Sequence, residues 1–343
     1  MNHLPLNVRY TPTMENPANT VIELTMSYAA PRCLHVIAEL GVADALDDTP
    51  RSAAELAMKA GADADALART LRLLSAYGVF EMKDGRFVHT PTSRLLRSDH
   101  PQSLRSFVRM IGNPAIGGWK ALELLEHSIR SGEASSNQAV PGGTWKYLAE
   151  HPEESRIFDE AMTGKSQAMI PGVLEACDFS RFKTIADIGG GRGHLLRSVL
   201  HRAQHATGVV FDLPHVVEGV AREATPRLKF QAGDFFKDKL PACDAYIIMQ
   251  VIHDWNDAKA TEILRAVRKV APANAKLLLV EAIVPNDSKP SWIKMLDIFM
   301  LALLNGKERT LAEFEALFAA SGFRLDKVTD AGLSMSVLEA TAV

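Results

Sequence analysis

The sequence contains few cysteines and almost no excess of charge. Its three cysteines are too far apart for the close pairs of a zinc site, and they do not form the even framework of a disulfide-stabilised secreted domain. The 343 residues include 38 Lys and Arg against 41 Asp and Glu, a formal net charge of −3. This balance does not favour a polyanionic partner such as nucleic acid. The cysteine usage indicates a reducing compartment, and we expect a cytoplasmic protein.

The sequence also lacks a hydrophobic run long enough to cross a membrane. Residues 295–304 form the most apolar stretch, about half of the roughly 20 residues that a spanning helix needs, and Asp297 interrupts it. Residues 1–20 are polar and include proline, which does not match a secretory signal. We therefore expect no membrane partner. With 47% hydrophobic residues the chain can bury a full core, and its length favours two domains over one.

The first part of the chain has the pattern of two short helices followed by a hairpin. A capping box at Ser52 and Glu55 predicts the start of one helix, and leucines at i, i+4 and i+7 predict the next. Asp84 and Gly85 lie between two short strand-like runs, where they supply the positive φ angles of a tight turn. This order is typical of a winged helix, which we assign to residues 1–105.

A winged helix often binds DNA, but the charge of this one argues against it. Residues 1–105 contain 11 Lys and Arg against 12 Asp and Glu, and the second helix has only Arg69 and Arg72 to meet phosphates. We therefore expect no nucleic-acid partner. The apolar residues between 36 and 46 exceed what one small module needs to bury, so we expect a homodimer formed through this N-terminal domain.

The pattern changes along the rest of the chain. Residues 106–180 are predicted to form a helical connector with glycine-containing loops such as Gly117-Gly118. Over residues 181–343, short apolar runs alternate with helical segments, which is typical of an α/β fold with a mostly parallel sheet and helices on both faces. The predicted strands are 184–188, 207–211, 228–232, 245–249, 277–283, 324–328 and 335–340. The last two strands are close enough in sequence to pair antiparallel.

A glycine-rich turn follows the first of these strands. Four of the five positions from Gly189 to Gly193 have no side chain, so a ligand can approach the backbone closely. Asp212 ends the next strand, where a carboxylate can accept the hydroxyls of a ribose. Asp187, just before the turn, would repel a pyrophosphate but attract an ammonium group, and His194 replaces the last glycine of a dinucleotide pattern. These features favour S-adenosylmethionine over a nicotinamide dinucleotide.

Polar residues also follow the third and fourth strands. Asp234 can accept from an adenine amino group while Phe235 contacts the ring face. His253 follows the fourth strand, at the sheet edge where ligands of α/β proteins bind. A lone histidine there is more often a cap or a core residue. Glu281 favours catalysis, because it ends an apolar strand where a buried carboxylate needs a partner.

Together these motifs resemble those of the S-adenosylmethionine-dependent O-methyltransferases of the plant caffeic acid and bacterial aromatic polyketide type. The resemblance covers nearly the whole chain. It rests on Asp187-Ile188-Gly189-Gly190-Gly191-Arg192-Gly193, Phe211-Asp212-Leu213-Pro214, Gly233-Asp234-Phe235-Phe236, His253-Asp254-Trp255 and Gly306-Lys307-Glu308-Arg309-Thr310. It implies a winged-helix dimerisation domain over residues 1–105, a connector that contributes to the substrate pocket over 106–180, and a Rossmann-like class I methyltransferase domain over 181–343.

The resemblance also implies roles for individual residues. His253 would be the general base, with Glu281 and Glu308 flanking its imidazole. The implied cofactor-binding residues are Asp187, Gly189, Gly191, Gly193, Asp212, Leu213, Gly233, Asp234, Phe235 and Gln250. The implied substrate-binding residues are Phe158, Met162, Asp254, Met300 and Leu303. Met249 stands where many plant members have a lysine that touches the cofactor.

The implied reaction transfers a methyl group to a hydroxyl of an aromatic small molecule of secondary metabolism, such as a phenolic, polyketide or phenazine-like ring, and leaves S-adenosylhomocysteine. The scheme needs no metal, since the base replaces it, and the scattered histidines do not predict a metal site. Two alternatives stay open. A relative could bind S-adenosylmethionine yet decarboxylate or hydroxylate its substrate, or the methyl group could go to nitrogen or carbon.

Overall fold

The computed structural model describes residues 16–113, 116 and 118–343, apart from the side chain of Trp145. The expectations for residues 1–15 and for Gly117 lie outside this range. The chain divides into two compact units. The first contains the described residues up to Glu123 and Asn137–Lys165, and the second contains Leu124–Ser136 and Ser166–Val343. The connector predicted for residues 106–180 contributes to both units, and the three-part division at residues 105 and 180 stays a prediction.

Helices and one hairpin are the elements of the described chain as far as residue 176, and only the last helix is long. The elements are α1 (Pro17–Met26), α2 (Ala29–Glu39), α3 (Val42–Ala45), α4 (Ala53–Ala60), α5 (Ala64–Ala76), β1 (Phe80–Lys83), β2 (Arg86–His89), α6 (Pro91–Arg94), α7 (Arg105–Gly112), α8 (Trp119–Glu123), α9 (Leu125–Ser131), α10 (Ser136–Ala139), α11 (Gly143–Glu150) and α12 (Pro152–Ala176). The capping box of α4 is present, since Glu55 N donates to Ser52 Oγ and Ser52 N donates to the Glu55 carboxylate. The hairpin turns at Asp84 and Gly85, both with positive φ. Two helices and a hairpin therefore follow one another as predicted.

A seven-stranded sheet forms the centre of the second unit. Its strands are β3 (Thr184–Ile188), β4 (Thr207–Asp212), β5 (Leu228–Ala232), β6 (Ala245–Met249), β7 (Lys276–Ala282), β8 (Phe323–Gly332) and β9 (Met335–Ala342). They lie in the order β5-β4-β3-β6-β7-β9-β8. The first five strands are parallel, and β9 pairs antiparallel with both β7 and β8. The predicted mostly parallel sheet with an antiparallel last strand is confirmed.

The central strands β3, β6 and β7 are mostly apolar and almost fully buried, whereas the edge strands β5 and β8 are partly exposed. Successive residues of β3 point to opposite faces, and Ile185 and Ala186 belong to two separate core clusters. The helices of this unit are α13 (His194–Arg202), α14 (Pro214–Glu218), α15 (Asp257–Val270), α16 (Trp292–Leu304) and α17 (Leu311–Ser321). The chain runs from β3 outward to β5 and then returns to β6 on the other side of β3. The strand order thus reverses between β3 and β6, and ligands of open α/β sheets bind at the carboxyl edge beside such a reversal.

No helix in the described part of the chain is long and apolar enough to span a membrane.

Candidate functional site

The glycine-rich turn after β3 is shaped by close backbone packing. Gly191 has a φ of 57°, and an added Cβ there would meet no described atom within 4 Å, so the backbone faces open space. At Gly190 an added Cβ would come 2.6 Å from the Asp187 carboxyl carbon. Gly189 and Gly193 also have positive φ. The turn therefore presents bare backbone on one side and lies against Asp187 on the other.

Asp187 is a buried carboxyl group with an unused oxygen. The residue is 2% exposed, and its Oδ2 has no hydrogen-bond partner among the residues that the structure describes. Burial, and then the nearby negative charge of Asp212, raise its pKa to about 7. A buried carboxyl oxygen without a partner needs a donor. This site fits the ammonium group of a zwitterionic ligand such as S-adenosylmethionine.

Asp212 closes the glycine turn from the end of β4. Gly191 N donates to its Oδ2 and Leu213 N donates to its Oδ1, both at 2.7 Å. Burial raises the pKa of this carboxyl group, although these two amides oppose the rise. Asp212 is thus held beside the open face of Gly191. Leu213 itself is 44% exposed at the same edge.

The turn after β5 carries an aromatic group. An added Cβ at Gly233 would approach the Phe211 ring to 2.6 Å, so the chain passes close to β4 here. Asp234 accepts from Phe236 N and pairs with Lys237 at 2.8 Å, which lowers its pKa. The rings of Phe235, Phe236 and Trp255 meet edge to face, with centroids 4.8 to 6.0 Å apart. The Phe235 ring is therefore fixed by its neighbours.

His253 lies in a 3-10 turn, Ile252–Asp254, just after β6. The side chain is 7% exposed, and its Nδ1 donates to Glu308 Oε1 at 2.6 Å. Asp254 Oδ1 lies 3.4 Å from Nε2. Because the Glu308 carboxylate can only accept a hydrogen bond, it keeps the proton on Nδ1 and leaves Nε2 as the basic nitrogen.

The His253 imidazole is surrounded by negative charge. Burial alone would lower its pKa, but the carboxyl groups of Asp254, Glu281 and Glu308 outweigh burial and raise the pKa to about 9. In the free protein the ring is therefore mostly protonated at pH 7. A positive charge bound nearby would lower this pKa and increase the neutral fraction.

Glu281, at the end of β7, holds the backbone before the histidine. Its Oε1 accepts from Val251 N at 3.1 Å and from Ile252 N at 2.9 Å, and its Oε2 accepts from Gln250 Nε2 at 3.2 Å. Its hydrogen bonds thus go to the chain leading to His253 rather than to the ring. The carboxyl group is fully buried, which raises its pKa to about 7.

Gln250 leaves β6 in an uncommon conformation. Its φ is 54°, a left-handed value that a residue with a side chain adopts at a cost of about 1 kcal/mol or more. Its Oε1 is buried and has no partner within the described chain. Met249, just before it, packs against the sheet core, so the position of the plant lysine is apolar here.

Glu308 is placed by backbone hydrogen bonds that the sequence did not reveal. Glu308 N donates to Asp297 Oδ1, and Lys307 N donates to His253 O, both at 2.9 Å. An added Cβ at Gly306 would come 2.2 Å from His253 O, so only glycine fits. The segment 306–308 therefore lies directly against the histidine turn. The family motif located this segment, but not its contacts.

The predicted acceptor-binding residues fall in both units. Met300 is buried and Leu303 is half-buried on α16, which belongs to the second unit together with His253. Asp254 belongs to the same unit, and its side chain is 33% exposed. Phe158 and Met162 belong to the first unit, where they pack against a small core cluster with members from α7, α11 and α12. Among residues 16–113, 116 and 118–343, no group of three or more His, Cys, Asp or Glu could hold a metal ion.

Two family models match this chain. Residues 122–324 match the O-methyltransferase domain, and residues 22–99 match the O-methyltransferase dimerisation domain.

Relatives and solved structures agree over almost the full length. The phenazine O-methyltransferase of Lysobacter antibioticus is 38% identical over 332 residues, 95% of this chain and 96% of that protein. The 8-amino-8-demethylriboflavin N,N-dimethyltransferase of Streptomyces davaonensis is 35% identical over 318 residues, 89% of this chain and 90% of that one. A solved O-methyltransferase from neocarzinostatin biosynthesis, in complex with S-adenosylmethionine and 2-hydroxy-5-methyl naphthoic acid, is 32% identical with a TM-score of 0.78, covering 94% of this chain and 98% of its own. The chain therefore belongs to the family of S-adenosylmethionine-dependent O-methyltransferases.

Proposed function

We propose that this enzyme methylates a hydroxyl group of an aromatic small molecule, with His253 as the general base. The observation that carries the proposal is the Glu308-oriented imidazole, which follows β6 while the glycine-rich turn follows the neighbouring strand β3. The aromatic ligand of the neocarzinostatin relative supports the acceptor class. S-adenosylmethionine supplies an electrophilic methyl group when bound and leaves as S-adenosylhomocysteine.

We propose that the carboxyl edge of β3, β4 and β5 holds the methyl donor. The unused oxygen of Asp187 would accept from the ammonium group, and Asp212 would accept from the ribose hydroxyls. Asp234 and Phe235 would meet the adenine amino group and ring. The supporting residues of this proposed site are Gly189, Gly191, Gly193, Leu213, Gly233 and Gln250.

His253 would remove the acceptor proton. A phenol with a pKa near 10 is about a thousandth ionised at pH 7, so its ionisation costs roughly 4 kcal/mol. Nε2 takes that proton, while Nδ1–H stays hydrogen-bonded to the Glu308 carboxylate. General-base catalysis of this kind increases the rate by about 10² to 10⁴. Holding the reacting atoms in line supplies several kcal/mol more.

The proposed acceptor surface in the second unit is apolar with one acid. Met300 and Leu303 suit a flat ring, and methionine adapts to different rings because its side chain repacks easily. Asp254, beside Nε2, would orient the hydroxyl. The roles of Phe158 and Met162 stay predictions of the family resemblance.

We also propose that the enzyme is a cytoplasmic homodimer that does not bind nucleic acid. The dimerisation match over residues 22–99 supports the dimer. Val21, Ile22, Leu24 and Met26 of α1 are each more than half exposed, so α1 offers an apolar face for a second copy. The balanced charge of residues 1–105 argues against nucleic acid, and the three free cysteines support a reducing compartment.

Methyl transfer to nitrogen is the second candidate, because the riboflavin-derivative relative is an N,N-dimethyltransferase. The deciding experiment offers methyl-labelled S-adenosylmethionine together with matched pairs of hydroxylated and aminated naphthoates, phenazines and benzoates. We expect label on the hydroxyl compounds. Label only on the amines would favour the second candidate, and label on neither, with acceptor consumed, would favour a decarboxylase or hydroxylase.

A further inference from the structure

Arg309 is a fully buried cation directly after Glu308. Its side chain is 0% exposed. Its hydrogen bonds run from Nε to Asp257 Oδ1 at 2.9 Å, from one terminal nitrogen to Ile252 O at 3.1 Å and Lys307 O at 3.2 Å, and from the other to Trp255 O at 2.8 Å. Every guanidinium nitrogen is therefore in use.

Three of these acceptors belong to the loop that carries His253. Ile252 directly precedes the histidine, Trp255 follows it by two residues, and Asp257 begins α15. The guanidinium thus holds the loop on both sides of His253. The hydrogen bond from Lys307 N to His253 O ties the same loop to the same segment at a further point.

Glu308 and Arg309 contact different parts of the histidine turn, the ring and the backbone. The Glu308 carboxylate holds the imidazole at Nδ1, while the Arg309 guanidinium holds the carbonyls of the surrounding turn. The close approach at Gly306 leaves no space for the two segments to shift towards each other. A ring can keep a short hydrogen bond and a fixed Nε2 only if its backbone is fixed as well.

We propose that Arg309 is a positioning residue for the methyl transfer proposed above, acting through the backbone of the His253 turn. A lysine cannot replace it, because one ammonium group lacks the planar fork that reaches three carbonyls and a carboxylate together. The proposal rests on His253 being the base, and its test separates the two claims.

The test compares Arg309→Lys with Arg265→Lys in the full-length enzyme. Arg265, exposed on α15, is a control for the loss of guanidinium–carbonyl hydrogen bonds elsewhere, because its Nε and a terminal nitrogen donate to Ala320 O on α17 at 3.1 and 2.9 Å. We expect Arg309→Lys to lower kcat about tenfold or more, with S-adenosylhomocysteine affinity within about threefold of wild type. Arg265→Lys should leave both unchanged. Full kcat in Arg309→Lys would overturn the proposal.

Two readouts distinguish positioning from a loss of folding. In the free enzyme, histidine ring NMR should give a lower His253 pKa in Arg309→Lys than in wild type, because the hydrogen bond to Glu308 is loosened. In a His253→Ala background, Arg309→Lys should cause no further loss of the residual rate, whereas an equal loss in both backgrounds would overturn the proposal. If Arg309→Lys does not fold, Asp257→Ala decides, because it removes the side-chain oxygen that accepts from Arg309 Nε. A lower kcat at unchanged donor affinity supports the proposal, and an unchanged kcat overturns it. A wild type that methylates no acceptor would instead refute the proposed function.

Discussion

Carboxyl groups from three different elements govern the charge on the His253 imidazole. Asp254 lies in the same turn, Glu281 ends β7, and Glu308 precedes α17. The ring is buried, so its positive form is stable only while these groups stay ionised. The pKa of Glu281 is itself raised to about 7 by burial, so the proton balance of the site changes within the neutral pH range.

Replacing Glu308 tests whether its carboxylate raises the pKa of His253. Glu308→Gln should lower the pKa of His253, because a neutral amide no longer stabilises the imidazolium. Since the base acts when deprotonated, the acid limb of the pH dependence of kcat should move to lower pH, and the plateau should fall about tenfold. The exposed Glu315→Gln on α17 should behave like wild type. An acid limb that stays in place would contradict the role of Glu308.

Asp187 should couple donor binding to a proton. Its pKa of about 7 in the free protein means that it is mostly protonated at pH 6, and it should ionise beside an ammonium group. Binding of S-adenosylhomocysteine at pH 6 should then release close to one proton, measured by calorimetry in buffers of different ionisation enthalpy. Asp187→Asn should abolish this release and weaken binding about tenfold. Asp65→Asn, exposed on α5, is the control; equal proton release in wild type and Asp187→Asn would refute the assignment.

At the scale of elements, most of the sheet was predictable because its inner strands are short apolar runs between turns; the polar edge strand β8 is longer than the predicted range 324–328. The ranges 184–188, 228–232 and 245–249 were predicted to the residue, since buried parallel strands have this simple pattern. The assignment of residues 124–136 to the second unit was not predicted, because it depends on tertiary hydrogen bonds such as that from Ser136 Oγ to Leu303 O. The contacts of Arg309 were hidden for the same reason: they join segments about fifty residues apart.

Two glycines of α12 make a matched test of packing. An added Cβ at Gly172 would come 1.7 Å from Ala331 O, whereas at Gly164 the nearest atom is Ser103 O at 3.8 Å. Gly172→Ala should therefore lower the free energy of unfolding by about 3 kcal/mol, because backbone must move. Gly164→Ala should raise it by up to about 1 kcal/mol through better helix propensity. Chemical unfolding of both variants checks this, and equal shifts would contradict the packing around Gly172.

For the whole molecule, the sequence predicted family and chemistry better than assembly. The motifs identify an O-methyltransferase because its chemistry needs particular residues at strand ends, and the family matches agree. Which face meets a second copy depends on surface left exposed after folding. The exposed apolar residues of α1 became visible only in the structure.

The dimer can be tested on that surface. We expect wild-type enzyme at micromolar concentration to sediment with twice the 37.5 kDa mass of one chain. Ile22→Glu should shift it towards the monomer, because it places a charge on the apolar face of α1. Met58→Glu, a change at an 80% exposed position on α4, should leave the dimer intact. A monomeric wild type would refute the assembly.

The central claim is that the carboxyl edge of the sheet binds the methyl donor and that His253 removes the acceptor proton without contributing to donor binding. Its most direct test is the comparison of His253→Ala with wild type, measuring kcat with an accepted phenol and the dissociation constant of S-adenosylhomocysteine on the same preparations. His201→Ala, exposed on α13, is the control. We predict a loss of kcat of about a hundredfold or more at unchanged affinity for S-adenosylhomocysteine. Full turnover by His253→Ala, or no binding of S-adenosylhomocysteine to the wild type, would contradict the account.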